Sequence, residues 1–258
     1  MVLSGRFAMN VLQGGLAARE DFATCSLAGS GLARRSRIAE RYRPEGYDRD
    51  FDADTLWVDA IHVPPRVVLV CPRLNNLRGV LEAAQFTADG RPVTPRFREY
   101  KRHAIIEFDA PVATARLSIR IGEWSAETPV HAMDRDTFRD RDVLVTVSRD
   151  NDLRWIHDFA RFHVRHQGID AMLFIDNGSA AYGPLEIQAT LRRAGVAQPV
   201  VLSTTLKYGP RGRKPHANSE LFLQTCPVCQ SALDRDPLSA PKIDPLGAEL
   251  ARRCVVPM

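Results

Sequence analysis

The five residues Val143-Leu144-Val145-Thr146-Val147 constrain this chain more than any other stretch. They are apolar or β-branched on both faces, a pattern that does not suit a half-exposed strand and does suit the buried centre of a parallel sheet. A parallel sheet needs crossovers, and the next residues read as one. Asp150-Asn151-Asp152 offers N-cap side chains, and Leu153, Ile156, Ala160 and Val164 mark an apolar stripe at helical spacing. Trp155, Phe159 and Phe162 mark a second stripe, which predicts a helix buried on both sides with Trp155 in the core and His163 as a core or supporting histidine. Gly168 ends that helix, Ala171 to Ile175 reads as a second strand, and Asp176-Asn177-Gly178-Ser179 as the turn at its carboxyl end. Pro184 opens another helix that stops at Gly195, and Pro199 to Leu206 reads as a third strand. Strand, helix, strand, helix, strand predicts a right-handed α/β unit over a parallel sheet.

Composition excludes several classes. The 258 residues carry 35 Lys plus Arg against 31 Asp plus Glu, with 45% apolar residues, which is too apolar and too balanced for a disordered chain. Of the basic residues 31 are Arg, yet the clusters Arg34-Arg35-Ser36-Arg37 and Arg211-Gly212-Arg213-Lys214 are short and lack interleaved aromatics, so no nucleic-acid partner is expected. No stretch approaches the ~20 consecutive apolar residues of a membrane span, and the expected location is cytoplasmic. Five cysteines at positions 25, 71, 226, 229 and 254 make a poor disulfide framework and are expected as reduced thiols.

Four segments are expected. Residues 1–55, rich in Arg, Ala, Gly and Ser, read as a loosely ordered lead-in. Residues 56–141 contain short apolar runs (Leu56 to Val63, Arg66 to Cys71, Val80 to Thr87, Ala104 to Phe108, Ala115 to Ile121) separated by turn signals, which predicts a small antiparallel sandwich-like domain. Residues 142–225 hold the α/β pattern, and residues 226–258 are Pro-, Arg- and Ala-rich with little periodicity.

Ligands of parallel sheets bind outside the carboxyl ends of the strands, which directs attention to the loops Ser148 to Asp152 and Asp176 to Tyr182. Neither a G-x-G-x-x-G nor a G-x-x-x-x-G-K stands there, so side chains rather than a glycine loop would hold any nucleotide.

The run Val145-Thr146-Val147-Ser148-Arg149-Asp150-Asn151, then Trp155, Phe162-His163, Gly168 and Phe174-Ile175-Asp176-Asn177-Gly178-Ser179, resembles the amino-terminal half of family 2-like and family 92-like glycosyltransferases. The likeness continues through Leu206-Lys207-Tyr208-Gly209-Pro210 and, more faintly, Asn218-Ser219 to Gln224, covering about residues 143–225. It implies an α/β chain with a partial GT-A (Rossmann-like) parallel-sheet domain behind a small antiparallel β domain. It further implies transfer of a sugar from a nucleotide-sugar donor to a glycan or other hydroxyl acceptor, with Mg²⁺ or Mn²⁺ stabilising the departing diphosphate. By this resemblance Thr146, Arg149, Asp176 and Asn177 are the donor-binding candidates, with Asp176 on base or ribose and the Arg149 fork on diphosphate. No catalytic base is assigned.

The sequence departs from the family in two places. Ala180-Ala181 follow the turn where many relatives have Thr-Asp, and only 33 residues follow position 225, where a metal-binding Asp-x-Asp strand and a base belong. Asp234 and Asp236 have that spacing without a β-branched strand before them, and the same spacing recurs at Asp48/Asp50, Asp52/Asp54, Asp134/Asp136 and Asp140/Asp142. The carboxyl half is therefore expected to be truncated or frame-shifted. Cys226-Pro227-Val228-Cys229 is half of a zinc site, which His216 and Cys254 would have to complete. The alternative function is a non-catalytic module that binds glycan or a partner protein.

Overall fold

A computed structural model of the chain describes residues 22–110, 112–134 and 136–217. It divides into two compact units, one built on residues 22–131 with the segment from Thr204 onward, the other on residues 132–203.

The first unit contains strands β1 (Cys25–Ser26), β2 (Thr55–Trp57), β3 (Asp59–Val63), β4 (Arg66–Pro72), β5 (Gln85–Ala88), β6 (Arg91–Val93), β7 (Arg96–Glu99), β8 (His103–Asp109), β9 (Arg116–Ile121), β10 (Trp124–Pro129) and β11 (His131–Ala132). Two short helices, α1 (Tyr47–Asp50) and α2 (Arg78–Glu82), lie between them. The strands form sheets ordered β1-β2, β10-β9-β5-β6 and β11-β3-β4-β8-β7. Pairing is antiparallel in β3–β4, β4–β8, β7–β8, β5–β6, β5–β9 and β9–β10. Alternation explains the packing: Val67, Leu69 and Cys71 of β4 and Ala104, Ile106 and Phe108 of β8 share a core with Phe86 and Ala88 of β5 and Leu117 and Ile119 of β9. Phe86 and Phe108 meet at 5.0 Å between ring centroids. Of the expected run Val80 to Thr87, only the end is strand, because residues 78–82 turn into α2.

Residues 22–55 belong to this unit. Ala23, Cys25 and Leu27 enter the same core, and Arg34 is buried among backbone carbonyls. The expected lead-in thus becomes structure through apolar residues too sparse to stand out as a pattern. Cys25 and Cys71 are buried free thiols, and burial pushes the Cys25 thiol up to about 12, which leaves it protonated and unreactive.

His103, at the start of β8, stacks on Tyr100 with ring centroids 4.6 Å apart. Burial pulls its imidazole down from 6.5 to about 4, so the folded protein holds it neutral. Between pH 6.5 and 4 the unfolded chain therefore binds the proton that the folded chain refuses, and stability falls as pH falls through that window. The contribution is fully present above pH 6.5, and its loss is on the order of 2 kcal/mol. Urea unfolding at pH 7 and pH 4.5 should show this slope, and His103→Gln should flatten it.

The second unit holds strands β12 (Val143–Ser148), β13 (Ala171–Asp176) and β14 (Gln198–Ser203), all parallel, and helices α3 (Leu153–Gln167) and α4 (Pro184–Arg193). The register aligns Leu144 with Met172 and Thr146 with Phe174 and Val201. Leu144, Met172, Phe174 and Val201 form one core with Ile156 and Ala160 of α3 and Ile187 and Leu191 of α4. The side chain of Asp152 caps α3 by accepting from Arg154 N at 2.7 Å, and Gly168 closes the helix at φ 69. Glu186 reaches back to the Gly183 N–H at 2.9 Å at the start of α4.

The expected fold class is corrected here. Among the described residues eleven of fourteen strands lie in the three sheets of the first unit, so the chain is mainly β and mainly antiparallel. The parallel part is three strands in plain sequence order, without the order reversal that defines a doubly wound Rossmann-like sheet, and both helices pack into one core with one row of strand residues. The short apolar runs of residues 56–131 each contribute strand residues, Val80 to Thr87 only at its end, and the resulting strands outnumber those of the single β-branched crossover pattern that suggested an α/β chain.

Trp155 is corrected too. It is 65% exposed and Phe162 is 54% exposed, because a helix laid on one sheet layer buries only one face, here Ile156, Ala160 and His163. His163 is a core histidine whose Nδ1 lies 2.7 Å from Gln167 Oε1.

Candidate functional site at the carboxyl edge of the parallel sheet

Two loops meet where β12 and β13 end. The Asn177 N–H donates to Ser148 O at 2.8 Å, carrying the parallel register one step past the strands. Asp150 sits at φ 52, a conformation that Asp tolerates better than most side chains. There its N–H donates to Ser179 Oγ at 2.9 Å and its Oδ1 accepts from Ala180 N at 2.8 Å. The Tyr182 hydroxyl donates to Asn151 O at 2.6 Å, and Asn151 Nδ2 donates to Ser148 Oγ at 2.8 Å. The loops are therefore laced into one surface before any ligand arrives.

The four donor-binding candidates occupy this neighbourhood in different ways. Thr146 is fully buried and lies in the register row of Phe174 and Val201, two residues short of the strand end, so it supports the sheet. Arg149 is exposed, with Nε 3.4 Å from Asp150 Oδ2. Asp176 is 4% exposed and accepts from the Ser179 hydroxyl at 2.5 Å and from the Ser179 N–H at 3.3 Å. Its carboxylate holds the turn, as an Asp three residues ahead of a Ser commonly does. Asn177 is buried, and its Oδ1 has no hydrogen-bond partner among the described residues.

That orphan acceptor is the distinctive chemical feature of the edge. A buried carbonyl oxygen without a donor costs about 1–3 kcal/mol, and such atoms in folded proteins call for an explanation. Ser179 and Asp150 were not among the candidates, although the Asp-x-x-Ser spacing of the turn is the signal that could have found Ser179. Burial and the charges of Asp176 and Asp150 hold the Tyr182 phenol above its ordinary range, so it remains a donor at neutral pH.

No group of three or more His, Cys, Asp or Glu side chains that could hold a metal ion occurs among the described residues. Asp150 and Asp176 are committed to Ala180 and Ser179, and they have no third ligand. The expected metal ligands Asp234 and Asp236, and Cys226, Cys229 and Cys254 of the zinc reading, lie outside the described residues. Among the described residues no helix is long and apolar enough to cross a membrane. No protein-family model matches the chain, and no curated protein matches it.

Proposed function

We propose that the unit of residues 132–203 binds a nucleotide-sugar donor at the carboxyl edge of its sheet, as the donor-holding part of a glycosyltransferase-like protein. The observation that carries this reading is the buried Asn177 Oδ1, without a hydrogen-bond partner among the described residues, in the loop beside that of the exposed Arg149. An amide oxygen accepts from a ring N–H or a ribose hydroxyl, and a guanidinium fork binds two diphosphate oxygens together. The laced loops add preorganisation, which lowers the ordering cost of binding. Asp176 serves this site by holding the turn that carries Asn177, through Ser179. Mg²⁺ or Mn²⁺ would stabilise a departing diphosphate in such chemistry, but the described carboxylates do not form its site, so no step is routed through a metal here.

The test is a thermal-shift titration of the full chain with uridine, guanosine and thymidine diphosphate sugars. A ligand at 100 times its Kd adds about 2.7 kcal/mol of stability, which a melting curve resolves readily. Arg149→Gln should weaken the effective donor about tenfold while leaving the unliganded midpoint in place, because exposed ion pairs contribute little to stability. No shift with any donor at millimolar concentration refutes the reading.

A second reading, a module that binds glycan or protein without a donor, is favoured by the Asp176 carboxylate, which is consumed inside its own turn. It requires that no nucleotide sugar stabilises the chain.

A further inference from the structure

We propose that the β-rich unit carries a separate binding site for an acidic, hydroxyl-rich saccharide, in a cavity of about 330 Å³ between the segment Pro44–Asp50 and the strap Tyr208–Arg211. The cavity belongs to the first unit, since both segments lie in it, and the site does not depend on the donor reading of the parallel sheet.

The walls are fixed. Tyr47 is buried, its hydroxyl is 2.8 Å from Ser36 Oγ, and its ring stacks on Phe51 at 6.1 Å. The strap is fastened at three points: Lys207 Nζ donates to Phe51 O at 3.1 Å, Arg213 N donates to Tyr42 O at 2.8 Å, and the His216 ring meets the Tyr42 ring edge-on at 5.1 Å. Gly212 closes the strap's turn so tightly that a Cβ there would sit 2.7 Å from His216 O. Only glycine fits, so Arg211, Arg213 and Lys214 project from a turn whose shape is set in advance.

The lining chooses the ligand. Glu45, Asp50 and Arg211 give carboxylates and a guanidinium beside the Tyr208 ring, with Pro44 and Pro210 as the aliphatic part of the wall, a mixture that suits a ligand both polar and ring-shaped. The Tyr208 ring can cover the C–H face of a sugar, carboxylates accept from its hydroxyls, and a guanidinium fork binds a carboxylate with two bonds.

The site is also polarised. Arg49 already neutralises Asp50, donating from Nε at 2.8 Å, whereas neither Glu45 nor Arg211 has a hydrogen bond or ion pair to any side chain among the described residues. A ligand that satisfies both side chains brings an anion for Arg211 and hydroxyl donors for Glu45. A uronic-acid saccharide does both, and a bare phosphate does only the first.

Calorimetric titration of the full chain with trigalacturonate, cellotriose and inorganic phosphate tests this. Trigalacturonate should bind at least tenfold more tightly than cellotriose and should not be displaced by equimolar phosphate. Arg211→Gln, an exposed substitution, should bring trigalacturonate down to the cellotriose level, and Tyr208→Ala should weaken both saccharides. Absence of saccharide binding, trigalacturonate affinity unchanged in Arg211→Gln, or full competition by phosphate would each overturn the proposal. Failure here is separable from failure of the donor reading. Arg211→Gln should leave any nucleotide-sugar stabilisation intact, and Arg149→Gln should leave trigalacturonate binding intact.

Discussion

Replacing Arg34 by Met should destabilise the β-rich unit by roughly 3–5 kcal/mol. The side chain of Arg34 is fully buried, and its guanidinium donates to Arg73 O at 2.8 Å, Asp52 O at 2.8 Å and Thr55 O at 2.5 Å. These carbonyls come from two places in the chain, residues 52–55 and residue 73, so one planar group ties the start of the unit to two other segments. Met fills much of the volume but leaves the three acceptors without donors and the Asp52 carboxylate, 3.8 Å away, without its cation. Lys in its place restores charge but not the fork, since one ammonium cannot reach carbonyls arranged around a plane, and it should still cost about 2 kcal/mol. Urea denaturation followed by tryptophan emission is the measurement, because Trp57 is fully buried and Trp124 partly buried in the same core while Trp155 is already exposed in the other unit. A Met variant within about 0.5 kcal/mol of the parent would mean that the carbonyls find other donors.

Arg34 also marks a limit of reading this sequence. Within Arg34-Arg35-Ser36-Arg37 nothing distinguishes the buried guanidinium from its solvated neighbours, because the difference lies in carbonyls 18, 21 and 39 residues away. The local elements of the second unit were more legible. Val143 to Val147, Ala171 to Ile175 and Pro199 onward are strands because β-branched runs bounded by turn residues suit little else, and Asp152 and Gly168 bracket α3 as its caps. Layering was not legible. Periodicity records how many faces of a helix are apolar, not how many neighbours exist to cover them, so Trp155 and Phe162 resembled core residues and are exposed. The weight of the antiparallel sheets escaped for a similar reason: each short run was visible, but which runs pair is decided by contacts far apart in the chain.

The candidate site divides in the same way. Its loops were legible from the general rule on carboxyl edges, and its residue roles were not. A carboxylate in Asp-Asn-Gly-Ser looks available in sequence, and only the geometry commits it to Ser179 while leaving the neighbouring amide oxygen of Asn177 without a partner. The cavity beneath the strap brings together residues about 160 positions apart, a juxtaposition no local motif announces.

Those roles predict that neighbouring substitutions act oppositely. Asp176→Ala removes the acceptor for the Ser179 hydroxyl and N–H, which should loosen the turn and cost about 2 kcal/mol of stability in the parallel-sheet unit. Asn177→Ala removes a buried oxygen that has no hydrogen-bond partner among the described residues, so the desolvation penalty it relieves, about 1–3 kcal/mol, should offset the packing lost with the side chain. The alanine variant at 177 should therefore melt within a degree or two of the parent, or above it, while its affinity for the effective nucleotide sugar falls at least tenfold. A polar atom kept at a cost to the free fold is what a binding site requires, since function is where proteins tolerate local destabilisation. Melting curves with and without donor for the two variants separate the possibilities. Should Asn177→Ala lose stability as Asp176→Ala does and keep its donor affinity, the oxygen is part of the scaffold, and the carboxyl edge of this sheet has no claim on a nucleotide.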